Sequence, residues 1–136
     1  MQILVDTNVL LDYITCREPF HVSARTIIKL CKEGKVRGYI AAHSLTNIFY
    51  ILRKAYSVEE RRTLILDLCE LFDVEGIDKN KIESTLTNET FDDLEDGLQY
   101  TCAVYCGVDY IVTRDVDGFA ACDASVITPE DFLELV

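Results

Sequence analysis

Long hydrophobic runs are missing from this 136-residue chain. None approaches the roughly 18 apolar residues of a membrane-spanning helix, which excludes one. The first strand signal starts at Ile3 with no basic and then apolar leader ahead of it, so no secretory signal is expected. Paired cysteine spacing is missing too. Cys16, Cys31, Cys69, Cys102, Cys106 and Cys122 contain no C-x-x-C, which speaks against a zinc site. Several fall on apolar helix faces, where a free thiol behaves as a small hydrophobe. A reduced, cytoplasmic protein is the expectation. There are two histidines, His21 and His43, and no obvious covalent nucleophile. Positive charge is scarce: 13 Lys and Arg stand against 24 Asp and Glu, a net charge of −11. Loose, sequence-independent binding to nucleic acid relies on cationic surface and is disfavoured. A nuclease is not, because acids gathered round a metal lower the net charge while a local basic patch grips phosphate. Internal repeats, low-complexity tracts and linkers are absent, so residues 1–136 read as one domain.

What is present is globular: 49% hydrophobic and 27% charged residues, in a chain long enough to bury roughly two thirds of its unfolded surface. Strand and helix signals alternate. Ile3–Val5 is short and continuously apolar, as for a buried parallel strand. His21–Glu33 reads as a helix ended by Gly34. Gly38–Ala41 is a strand, and residues 44–56 a helix with Leu45, Ile48, Phe49, Ile51 and Leu52 at helical spacing. Ser57 with Glu60 makes a capping box for a helix reaching Phe72. Asp73–Glu75 is a short strand, residues 79–86 a brief helix and residues 94–106 a long one, whose core stripe is Leu94, Leu98, Cys102 and Tyr105. Tyr110–Thr113 and Ser125–Ile127 are strands, and Thr128-Pro129-Glu130 opens the last helix. The pattern predicts an α/β fold with a central, mostly parallel β-sheet flanked by α-helices.

Acidic residues stand at the strand ends. Asp6 follows the first strand within Val5-Asp6-Thr7-Asn8, where Thr7 and Asn8 could orient its carboxylate. The same triplet is also good turn and capping chemistry. Asp115 closes the strand at Thr113, with Asp117 two residues on; Asp117-Gly118 is an ordinary turn signal. Between them Asp92, Asp93, Glu95 and Asp96 crowd a helix start. One or two would complement the helix dipole, and four within five residues exceed that need. Asp93 and Asp96, one turn apart, can point at one place. In open α/β sheets ligands bind beyond the carboxyl ends of the strands. Carboxylates gathered there suit a hard cation such as Mg²⁺ or Mn²⁺, and so phosphodiester chemistry. His43, beside a strand end, reads first as a structural hydrogen-bond partner. Arg114, Arg53 and Lys54 are candidate phosphate contacts or solvated surface.

Three segments together carry a resemblance: Leu4-Val5-Asp6-Thr7-Asn8-Val9-Leu10-Leu11-Asp12, Asp93-Leu94-Glu95-Asp96-Gly97-Leu98-Gln99, and Tyr110-Ile111-Val112-Thr113-Arg114-Asp115. The tail Val126-Ile127-Thr128-Pro129-Glu130-Asp131-Phe132-Leu133 extends it. In order and spacing the chain resembles PIN-domain ribonucleases, including the toxins of VapBC-type toxin–antitoxin pairs. The resemblance implies a PIN-like fold over the whole chain and metal-dependent hydrolysis of single-stranded RNA. It also implies Mg²⁺ or Mn²⁺ held by Asp6, Asp96 and Asp115, an antitoxin protein as partner, and a homodimer. Residues supporting that site would be Thr7, Asn8, Asp93, Glu95, Thr113 and Asp117, with RNA touched by Arg114, His43, Arg53 and Lys54. The family's usual glutamate on the helix after the second strand is Asn47 here. An amide coordinates without charge, so metal affinity should fall, and Glu95 could compensate. A PIN-like module that binds RNA or a partner without cutting is therefore the alternative. A phosphatase with an aspartate nucleophile wants a second aspartate where Asn8 stands and ranks lower. The homodimer expectation also rests on apolar helix surface at Phe49, Tyr50, Leu52, Leu64, Ile65 and Leu68.

Overall fold

The computed structural model describes residues 1–136. Five short strands, β1 (Gln2–Val5), β2 (Arg37–Ala41), β3 (Asp73–Glu75), β4 (Tyr110–Val112) and β5 (Val126–Ile127), form one sheet in the order β3-β2-β1-β4-β5. Every neighbouring pair is parallel. Parallel neighbours require crossover connections. Seven helices serve them: α1 (Thr7–Ile14), α2 (His21–Lys32), α3 (Ala42–Ile51), α4 (Val58–Leu71), α5 (Lys79–Thr87), α6 (Leu94–Cys106) and α7 (Pro129–Leu135). The α/β architecture expected from the alternating signals is present. No helix is long and apolar enough to cross a membrane.

Both faces of the sheet's centre are covered, which is why β1 and β4 are apolar without alternation. Ile3, Val5, Ile40 and Val112 pack into the larger core with α1, α2, α3, α4 and α7, through residues such as Leu10, Ile27, Ile48, Leu68 and Phe132. Leu4, Ala41 and Ile111, one residue out of phase, meet Cys102 and Ala103 of α6 and Phe119 on the other face. Gly38 of β2 lies where a Cβ would come within 2.6 Å of the Phe72 ring and 2.9 Å of Cys31 Sγ, so two helices press against bare backbone there.

Several local expectations are realised in atomic detail. Ser57 Oγ accepts from Glu60 N at 3.1 Å while Glu60 Oε1 accepts from Ser57 N at 3.1 Å, closing the capping box. Thr128 Oγ1 accepts from Asp131 N at 3.1 Å, with Pro129 at the first helical position. Gly34 ends the α2 region at φ 70°.

Four expectations are corrected. Helix α1 occupies a stretch in which the sequence showed turn and capping chemistry at its start but no helical pattern; eight residues with only Val9, Leu10 and Asp12 buried give too short a pattern to stand out. The helix expected over 44–56 stops at Ile51 and tightens into a 3₁₀ turn, Leu52–Lys54, which keeps Leu52 in the core while Arg53 and Lys54 stay outside. The expected stripe of α6 is rotated. Leu94 and Tyr105 are exposed, and the buried face is Gly97, Leu98, Gln99, Thr101, Cys102 and Ala103. Helix α5 causes this by packing closely at Gly97, where a Cβ would sit 2.6 Å from Thr85 Cγ2, and by joining Thr85 to Thr101 through their hydroxyls at 2.7 Å. Finally, most of the apolar surface offered for dimerisation is used internally. Leu52 and Leu68 lie in the core, Leu64 and Ile65 pack against it, and Arg61 lies 4.4 Å over the Phe49 ring. Tyr50 alone of the six is exposed.

Candidate active site

The strand order reverses at β1, with β2 and β3 on one side and β4 and β5 on the other. A crevice forms outside the carboxyl ends at such a reversal. Asp6 leaves β1 into it and caps α1. It is 6% exposed, yet four donors reach its carboxylate. Thr7 N (2.7 Å) and Gln99 Nε2 (3.0 Å) donate to Oδ1, and Thr113 Oγ1 (2.7 Å) and Asn8 Nδ2 (3.3 Å) to Oδ2.

These donors are themselves held. Thr7 Oγ1 and Gln99 Nε2 both donate to the buried Ser44 Oγ at 2.8 Å, which ties α1 and α6 to the start of α3. Asn8 Nδ2 also reaches Thr113 Oγ1 at 3.1 Å, and Asn8 Oδ1 accepts from Arg114 N at 3.2 Å. Thr113 Oγ1 accepts from Asp115 N at 3.0 Å. Asp6 is therefore fixed from three sides by groups whose hydrogen-bonding capacity is largely used.

Asp96 and Asp115 are arranged differently. The bare face of Gly118 marks the space between them: a Cβ there would lie 2.6 Å from Asp115 Oδ2 and 3.0 Å from Asp96 Oδ2. Asp115 Oδ1 accepts from Gly118 N at 3.2 Å. Burial pushes the Asp96 carboxyl up to about 6, and the charges of Asp93, Asp6, Asp115 and Glu95 add to the rise. Burial raises Asp6 as well, opposed by its bonds from Thr113 and Thr7. Mutual repulsion of this kind makes a site for a positive charge. Two carboxylate oxygens facing one small space fit a hard divalent cation. No three carboxylate, histidine or cysteine side chains stand close enough to enclose an ion by themselves. Asp93 Oδ1 is spent on the helix start, accepting from Asp96 N at 3.1 Å. Asn47 Nδ2 donates to Glu95 Oε1 at 2.8 Å, joining α3 to α6. His43 is held below the usual imidazole range by burial, against the pull of Glu95 and Asp6. Neither of its ring nitrogens has a hydrogen-bond partner.

Comparison with known proteins gives the family. Residues 2–117 match the PIN domain. The chain belongs to the PIN-domain family. It is 26% identical to ribonuclease VapC1 of Aquifex aeolicus (strain VF5), covering 98% of this chain and 94% of that protein. Its fold is similar to a toxin–antitoxin complex from Klebsiella pneumoniae, with a TM-score of 0.70 and 19% identity over 93% of this chain and 97% of that one. It is similar also to VapC20 of Mycobacterium tuberculosis, described as a toxin cleaving the sarcin–ricin loop, with a TM-score of 0.68 and 16% identity over 88% and 94%.

Within this PIN domain not every residue singled out from sequence reaches the crevice. Arg114 turns away: its guanidinium makes two hydrogen bonds to Asp12, Nε to Oδ2 at 2.5 Å and Nη2 to Oδ1 at 3.2 Å, and lies 4.1 Å over the Phe20 ring. Only its backbone N–H serves the site, through Asn8. Arg53 covers the Tyr50 ring at 3.8 Å, and with Lys54 follows the far end of α3, about 15 Å from its first turn at 1.5 Å per residue. Asp117 is exposed, and its backbone oxygen accepts from Ala120 N. Two residues went unremarked as site members. Gln99 stands one turn after Asp96, a polar residue among Leu98, Cys102 and Ala103, and that contrast was a readable signal. Ser44 gave none.

Proposed function

We propose that this PIN domain is a metal-dependent endoribonuclease that hydrolyses phosphodiester bonds in single-stranded RNA, as the toxin of a toxin–antitoxin pair. One observation carries the reading: Asp96 and Asp115 present carboxylate oxygens to one small space, with the buried Asp6 charge behind them. Asp96 and Asp115 would hold Mg²⁺ or Mn²⁺, with Asp6 completing the negative field. The bound ion would supply Lewis acidity at the phosphate and lower the pKa of a water. The protein's own part is to keep the acids fixed. Thr7, Asn8 and Thr113 orient Asp6, and Asp93 anchors the helix that carries Asp96. Glu95, held by Asn47, adds charge at the rim. His43 feels the charge of Asp6 and Glu95 but buries both ring nitrogens, so it would meet RNA only by turning outward, and Arg53 and Lys54 would meet only a longer strand. The relative named ribonuclease and the structural neighbour described as a toxin cleaving the sarcin–ricin loop support the substrate class. Neighbours solved as toxin–antitoxin complexes support a protein partner. Six unpaired cysteines suit a reducing cytoplasm.

The test is cleavage of single-stranded RNA by the purified chain with Mg²⁺ or Mn²⁺, and its loss in EDTA, in Asp6→Asn and in Asp115→Asn. Cleavage that survives EDTA would remove the metal from the mechanism. A second reading, a PIN module that binds RNA or a partner without cutting, is favoured by Asn47, which brings an amide where a carboxylate would add charge. Metal-independent RNA binding with no cleavage would establish it. A homodimer belongs to the proposal, with exposed Tyr50, Ile51 and Leu66 as its apolar surface. Light scattering at ~10–100 μM, where modest dimers persist, should give twice the monomer mass.

A further inference from the structure

We propose that Gly118 is a positioning residue for the divalent ion: its missing side chain leaves the room in which Asp96 and Asp115 reach one ion together. This rests on the reading above that the crevice takes Mg²⁺ or Mn²⁺. In sequence Asp117-Gly118 is an ordinary turn signal, where glycine commonly serves a left-handed backbone. The backbone here does not ask for it. Gly34 and Gly107 are the glycines at positive φ, and Gly118 lies in the 3₁₀ turn Val116–Phe119, a conformation that residues with side chains adopt without strain.

What excludes a side chain is the pair of acids. A Cβ on Gly118 would stand 2.6 Å from Asp115 Oδ2, 3.0 Å from Asp96 Oδ2 and 3.2 Å from Asp115 Cγ. All three are shorter than the roughly 3.5 Å at which non-bonded heavy atoms pack, so one group has to give. The backbone is held. Phe119, next in the chain, is 1% exposed and meets the Phe91 ring edge-on at 6.0 Å within the smaller core. Gly118 N donates to Asp115 Oδ1 at 3.2 Å, and Ala120 N to Asp117 O at 3.2 Å. Asp96 cannot withdraw with its helix, because Gly97 beside it is packed so closely that a Cβ would lie 2.6 Å from Thr85 Cγ2.

The two carboxylates are what remains to move. Turned aside, their oxygens no longer open onto one space; left in place, they have a methyl between them. Either outcome removes the shared seat. A hard cation binds through several oxygens at short range, so it needs both at once. The charges stay where they are, so attraction for cations persists while the joint contact is lost.

Gly118→Ala tests this with Mn²⁺ as the probe, calorimetry as the readout and melting in EDTA as the check on folding. The variant should melt close to the parent and bind Mn²⁺ roughly ten- to a hundred-fold more weakly, as when the surroundings of metal ligands are disturbed. Gly76→Ala is the control, because a Cβ there meets nothing within 4 Å, and it should keep the parent's affinity. Adding Asp96→Asn to Gly118→Ala should cost far less affinity than Asp96→Asn costs the parent, since the joint contact is already gone. A folded Gly118→Ala with the parent's affinity overturns the proposal. So does an equal loss from Asp96→Asn in both backgrounds, or a loss in Gly76→Ala as large as in Gly118→Ala. If Gly118→Ala does not fold, the parent decides. Trace Mn²⁺ should then broaden the Gly118 amide signal in NMR spectra more than those of Asn8 and Gln99, which stand round Asp6; the reverse order seats the ion away from Gly118 and overturns the proposal. A parent chain that takes up no Mn²⁺ is a different result: it overturns the metal reading itself, and this proposal with it.

Discussion

At the scale of single residues, charge placed where it repels is the dominant theme. Asp96 keeps its proton up to about pH 6, whereas in the unfolded chain a carboxyl loses it near 4. Between those values the folded state binds more protons than the unfolded, so this group's contribution to stability falls as pH rises through the window. Asp96→Asn should therefore melt higher than the parent at pH 7 in EDTA, and the gap should close towards pH 4. A gap that is the same at both values would mean the carboxyl is not strained by its neighbours. Asn47→Glu sets a carboxylate against Glu95, where an amide nitrogen now donates to it at 2.8 Å. Exposed like charges at such contacts destabilise by about 0.3–1 kcal/mol. The metal-free variant should melt lower, while its Mn²⁺ affinity rises because the site gains a negative charge. Calorimetric titration beside a melting curve shows whether the two effects have opposite sign. Arg114 belongs to stability more than to substrate. Arg114→Ala leaves the fully buried Asp12 unpaired. Losing one partner of a buried pair costs about 3–5 kcal/mol, reduced here towards 2–3 because Arg114 is a quarter exposed. Denaturant unfolding should show that loss, and a change below ~1 kcal/mol would place the pair among ordinary surface bridges.

At the scale of elements, short strands are positioned by what presses on them. Gly38 of β2 admits the Phe72 ring and Cys31. Gly38→Ala forces a Cβ into contacts of 2.6 Å and should destabilise by about 1–3 kcal/mol, as overpacking does, with a matching fall in the denaturation midpoint. The capping box at Ser57 was legible because its chemistry is local: two side chains meet backbone groups three residues away. Helix α6 was legible in extent but not in rotation. The amphipathic pattern selected Leu94 and Tyr105, but the close approach of α5 at Gly97 and Thr101 turned those two outward and Gln99 inward. A small residue that invites a neighbouring helix carries no hydrophobic signal of its own.

For the whole molecule, a net charge of −11 is a self-repelling field that salt screens. Moving from about 10 mM to 1 M ionic strength shortens the Debye length from ~30 to ~3 Å. The metal-free protein should melt higher at the upper end, and no rise would mean that local pairs offset the long-range repulsion. Because the ion site is built on the same repulsion, Mn²⁺ should act more strongly than an equal ionic strength of NaCl. Saturation a hundredfold above its dissociation constant adds about 2.7 kcal/mol.

The amino-acid sequence by itself determined the parallel α/β class, the boundaries of most elements and the strand-end positions of Asp6 and Asp115. Apolar runs, caps and breakers act over a few residues, and a buried parallel strand has to be apolar on both faces. Tertiary structure alone decided which charges share a space. Strand reversal at β1 brought residues from β1, α3, α6 and the end of β4 to one crevice, caged Asp6 with Gln99 and Thr113, and drew Arg114 away to Asp12. Those pairings span 93 to 107 positions of chain in the case of Asp6. Only the packing of α6 and β4 around β1 makes them neighbours, and local pattern has no means of recording it.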